Sequence, residues 1–83
     1  MTKSEFYRKH GSNLETINPD DAEYGENLVL YPEENHIAEK YLKKGHDVYT
    51  VYEESHEGGE EYVEAGFDSG TNPFKVGYLI LKK

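Results

Sequence analysis

The sequence predicts an α+β fold: a three- to four-stranded, mainly antiparallel sheet packed on one face by one main helix over residues 33–44, with short helical turns near the N-terminus. Three observations carry this expectation. "PEENHIAEKYLKKG" sets apolar residues at helical spacing between a start and a stop signal. "DVYTVYE", "EYVEA" and "KVGYLIL" are short runs rich in β-branched and aromatic residues. Gly58-Gly59 lies between the first two runs and reads as a hairpin turn.

In the helix, Pro32 suits the first helical position, Glu33 and Glu34 favour the first turn, and Lys43 and Lys44 favour the last. Gly45 is placed to close it. Ile37, Ala38, Tyr41 and Leu42 form the apolar stripe, and Glu39 and Lys43 lie four apart in the favourable order. The strands are expected at residues 47–53, 61–65 and 75–81. The last is almost continuously apolar, so it is expected to be buried on both faces and central in the sheet. "NLVLY", residues 27–31, is a candidate fourth strand.

Upstream, "TKSE" fits a capping box and predicts a helix over residues 3–10, with Gly11 after it. In "NPDDAEYG", residues 18–25, Asn18 is placed to cap a turn and Pro19 to begin it. One helix covers one face of a sheet, so Tyr49, Tyr52, Tyr62 and Tyr78 are expected to line an open face.

The 83 residues suit one small domain, with residues 1–25 short-helical or irregular and residues 26–83 forming the core. Hydrophobic residues make up only 35%, yet eight Tyr and three Phe favour folding over disorder. There is no Cys, which removes disulfides, thiolate metal sites and Cys nucleophiles. The charged "MTKSEFYRKHG" is unlike a signal peptide, and no run approaches the length of a membrane span. A soluble cytoplasmic protein is expected.

The net charge of −8 is local. Residues 1–44 hold nine acids and six bases, and residues 75–83 add three Lys, so these cancel. The eight remaining acids run from Asp47 to Asp68. Within "EESHEGGEEYVEAGFD", residues 53–68, there are seven carboxylates and neither Lys nor Arg. Such a stretch repels nucleic acid and anionic membrane and attracts basic surfaces or cations.

No catalytic signature stands out. Ser55 and His56 are neighbours whose side chains diverge on a strand, and no nucleophile elbow is present. The glycines of "EGGEE" lack the Lys of a phosphate-binding loop. Glu61 and Glu64 could stand near each other as an acid–base pair, but a chain this small can hardly build a sugar-sized cleft around them. The spacings of an EF-hand or a zincin are absent. His10 and His36 read as surface residues. Neither an enzyme nor a cofactor or metal site is therefore expected, and direct nucleic-acid binding would need a basic surface the chain lacks.

What remains is protein binding. Glu53, Glu54, Glu57, Glu60, Glu61, Glu64 and Asp68, with Tyr49, Tyr52 and Tyr62, combine aromatic anchors with charge that steers a basic partner. Carboxylates on one face of a strand repeat every ~7 Å, comparable with phosphates along a nucleic-acid strand. The leading expectation is a non-enzymatic interaction protein. Its most concrete form is a mobile-element-encoded inhibitor that mimics nucleic acid against an enzyme of the anti-CRISPR or anti-restriction target type. The alternatives are a self-associating homodimer using a Tyr-rich sheet face, and a divalent-cation binder.

Overall fold

The computed structural model describes residues 1–15, 29–54 and 59–83. The turn at residues 18–25, the start of the 27–31 strand, and Ser55, His56, Glu57 and Gly58 lie outside the described residues. Helix α1 spans Lys3–His10 and helix α2 Asn35–Lys43, and strands β1 (Val48–Glu53), β2 (Glu61–Ala65) and β3 (Lys75–Ile80) follow. Among the described residues the fold is a small α+β arrangement of one antiparallel sheet in the order β2-β1-β3 with two short α-helices.

Local sequence explains both helices. The Thr2 hydroxyl oxygen accepts the Glu5 N–H at 3.1 Å and donates to the Glu5 carboxylate, satisfying one otherwise unpaired amide at the start of α1. Before α2, Pro32–Glu34 winds a 3₁₀ turn in which the Tyr31 N–H donates to Glu34 Oε1. Gly45 takes a positive φ of 90° beyond the helix, a conformation in which a side chain would be strained.

The sheet is covered on both faces, which the sequence reading did not anticipate. α1 packs Phe6 with Leu14, Val29, Val51, Val63, Leu79 and Leu81 on one face. α2 contributes Ala38, with Ile37 and Tyr41 beside it, to Leu30, Val48, Tyr78 and Ile80 on the other. Leu42 belongs to neither cluster and is 43% exposed. The expected stripe is therefore one residue narrower, because a nine-residue helix crossing the sheet touches it only along Ile37, Ala38 and Tyr41.

β1, not β3, is the central strand. The continuous burial of β3 has another cause: both its faces are covered and its outer edge is occupied. Leu30 and Tyr78 exchange backbone hydrogen bonds of 2.9 and 2.8 Å there. Further along, Glu15 N–H donates to Ile80 and Lys82 N–H to Asn13. Leu30 is what the described residues contain of the expected fourth strand. On the opposite edge, Met1 and Val63 pair through their backbones, and Thr2 bridges Tyr62. Occupied edges of this kind block strand addition by another chain.

One irregularity matters for the chemistry. Val51 faces Gly77 while Tyr52 faces Lys75, so Val76 is an extra residue in β3. This bulge places Lys75 beside Tyr52 on the α2 face of the sheet.

Candidate functional site

The carboxylates of residues 53–68 are distributed by strand alternation. Glu53 and Glu61 oppose each other in the β1–β2 register, on the face that carries Val51 and Val63. Glu64 opposes Thr50 and stands on the other face with Tyr52 and Tyr62. Glu61 and Glu64, three apart in one strand, therefore point to opposite faces, which is unlike two groups flanking one substrate.

Their electrostatic surroundings differ as well. Glu61 is half-buried and lies 2.9 Å from the Lys3 ammonium of α1. Glu54, Glu60 and Glu64 are exposed and Glu53 is half-buried. Among the described residues, none of these four forms an ion pair. Glu57 lies outside the described residues.

Asp68 has an internal role. Its carboxylate accepts the Tyr52 hydroxyl at 2.7 Å and the Gly70 N–H at 3.0 Å. Its N–H donates to Thr50 Oγ1, whose own hydroxyl donates to the Gly66 carbonyl at 2.7 Å. Its carbonyl accepts from both the Tyr78 hydroxyl and the Lys75 ammonium at 2.8 Å. Lys75 also donates to the Gly70 carbonyl at 2.6 Å. Residues 66–70 are thus tied to the sheet by side chains from β1 and β3, each buried polar group finding a partner.

This network shifts two titrations. Burial is the largest cause that pushes the Tyr52 hydroxyl from 10.0 up to about 12, with the Asp68 carboxylate and the Glu64 charge adding to it. The hydrogen bond from Tyr52, then the Gly70 N–H and the Lys75 charge, hold Asp68 below its ordinary 3.8. The raised tyrosine contributes stability that is present below pH 10.0 and lost as pH rises through about 12. The lowered aspartate contributes stability that is present above 3.8 and lost as pH falls through its folded value. Tyr52→Phe is expected to remove a late tyrosinate step near pH 12 from an ultraviolet alkaline titration and to make the alkaline loss of stability shallower. Superimposable titrations would contradict this assignment.

The tyrosines do not line an open face. Tyr78 is fully buried and Tyr52 is 8% exposed. Tyr49 is half-buried on the α1 face against the Phe6 ring at 4.8 Å. His10 is half-buried beside the same two rings rather than free on the surface. Tyr62 is half-buried, and its ring stacks on Tyr52 at 5.5 Å with 26° between planes.

No three His, Asp or Glu side chains gather to hold a metal ion among the described residues. His46 packs edge-on against Tyr41 and lies 3.8 Å from Glu15. An open depression lies between residues 32–35 and 69–75, with Glu33, Asn35 and Thr71 in its lining. The Lys75 ammonium in that lining is engaged by the carbonyls that fix the loop. Among the described residues, no helix is long and apolar enough to cross a membrane.

Sequence reasoning missed the Thr50–Tyr52–Asp68–Lys75–Tyr78 network, because its members are scattered and a bulge of one residue brings Lys75 to it. Comparison with protein-family models, curated proteins and solved structures finds no match.

Proposed function

We propose that this is a non-enzymatic, cytoplasmic interaction protein that binds a basic protein surface through residues 53–68. In its most concrete form it inhibits a nucleic-acid-binding enzyme, of the restriction or CRISPR kind, by occupying the groove where phosphates would lie. One observation carries the reading: Glu53, Glu54, Glu60 and Glu64 have no basic partner among the described residues, although the chain holds nine Lys and Arg. Glu54, Glu60 and Glu64 are exposed and Glu53 is half-buried, and unpaired carboxylates at a surface keep their charge for a partner.

Two features support a rigid display of that charge. The hairpin strands belong to a sheet buttressed from both faces, and Asp68 anchors the segment that leaves β2. A preorganised surface loses less entropy on binding. The self-association reading loses its principal surface, since Tyr78 and Tyr52 are buried.

The test is a comparison of wild type with a variant carrying Glu53→Gln, Glu54→Gln, Glu60→Gln and Glu64→Gln, each used to recover partners from native lysate. Partners retained by wild type at low salt should be lost by the variant, whose stability should stay level or rise slightly. Equal recovery would reduce the acidic stretch to a solubility device.

A further inference from the structure

The docking reading leaves open which side chains of a basic partner the hairpin selects, and one corner of the sheet bears on that choice. Tyr52 and Tyr62 oppose each other across β1 and β2, and their rings stack. The Tyr52 ring is fixed, because its hydroxyl is bound to Asp68 and it is almost wholly buried. Tyr62 in contrast is half-buried, and Glu64, next along the same face, is exposed. The apolar residues of α2 pack at the other end of this face, on Val48, Tyr78 and Ile80.

A guanidinium group is flat and weakly hydrated, stacks on tyrosine rings, and donates paired in-plane hydrogen bonds to a carboxylate. An ammonium is a compact, strongly hydrated point charge that gains the attraction but little of the stacking. A ring supported from behind with an unpaired carboxylate beside it matches the guanidinium. Resting on the reading that residues 53–68 dock on a basic surface, we propose that Tyr62 and Glu64 form the position that receives an arginine side chain of the partner. The occupant is thus an arginine-bearing basic segment, and the domain discriminates arginine from lysine at equal charge.

The experiment measures binding of fluorescently labelled octaarginine and octalysine to the full chain at low salt. Wild type should bind octaarginine about three- to fivefold more tightly, the size of one exposed cation–π contact. Tyr62→Phe should keep the preference, and Tyr62→Ala should bring the ratio close to one by weakening octaarginine more than octalysine. Should Tyr62→Ala fail to fold, Glu64→Gln provides the same test, since an exposed substitution leaves the core intact; it should reduce the ratio more than it weakens octalysine. Equal affinities for the two peptides in wild type would overturn the arginine assignment and leave the docking reading standing. So would a preference that survives both Tyr62→Ala and Glu64→Gln. Absence of binding by either peptide would overturn the docking reading itself.

Discussion

Gly77→Ala is expected to leave much of the protein unfolded. A Cβ at this position would run into the Leu30 carbonyl and the Val29 side chain, and a backbone group cannot turn aside as the end of a flexible side chain can. Residues 29–30 would have to move off the edge of β3. Two backbone hydrogen bonds between Leu30 and Tyr78 would be lost, at about 1 kcal/mol each. Leu30, 1% exposed, would leave the core, a change comparable with a buried Leu→Ala at roughly 2–5 kcal/mol. Small cores seldom hold more than about 3–5 kcal/mol in reserve. Gly11→Ala is the control: Gly11 has helical φ −57°, and a Cβ there meets only ordinary contact with Tyr7 at 3.9 Å. It should stabilise by up to about 1 kcal/mol. Urea unfolding curves for the pair decide the matter, and a Gly77→Ala cost below about 0.5 kcal/mol would show that Leu30 does not close the edge of β3.

Phe6→Ala should cost about 3–5 kcal/mol. Phe6 is fully buried and meets the rings of Tyr49 and His10 at 4.8 and 5.0 Å, so its removal would open a cavity between α1 and the sheet. Leu42→Ala on α2 should cost well under the roughly 2–5 kcal/mol of a buried leucine, because Leu42 is 43% exposed. The same unfolding experiment separates a sheet covered on two faces from one covered on a single face. Equal and small effects for Phe6→Ala and Leu42→Ala would mean that α1 is not part of the core.

The elements were legible because their signals are local. The Thr2–Glu5 capping pair, Gly45 beyond α2 and the period-two pattern of residues 61–65 each depend on a few neighbouring residues. What was not legible depends on distant contacts. The capping box at Thr2–Glu5 predicted a helix over residues 3–10 but not that Phe6 within it would cover a second face. The apolar run of β3 was consistent with a central strand, and its burial at the sheet's third position comes from cover on both faces together with the crossing of residues 13–15 and Leu30 at its edge. Gly77 within that run was a usable sign of a close backbone approach. In the candidate site, composition located the carboxylates but did not sort them. Glu61 turns toward Lys3 and Asp68 toward Tyr52, so neither has the freedom of Glu53, Glu54, Glu60 or Glu64. That division follows from the placement of Lys3 on α1 and from the hydrogen bonds that hold residues 66–70, which the charge count alone does not contain.

The association rate of a recovered partner as a function of ionic strength, measured for wild type and for the variant with Glu53, Glu54, Glu60 and Glu64 replaced by Gln, decides whether the hairpin carboxylates meet a basic surface. If these carboxylates steer a basic surface onto the hairpin, wild type should associate fastest at low salt and slow steeply as screening shortens the reach of the charges. The variant should associate more slowly at low salt with a flatter dependence, while its unfolding curve stays level with or slightly above that of wild type. Identical rates and identical salt dependence for the two proteins would show that these carboxylates do not steer a partner.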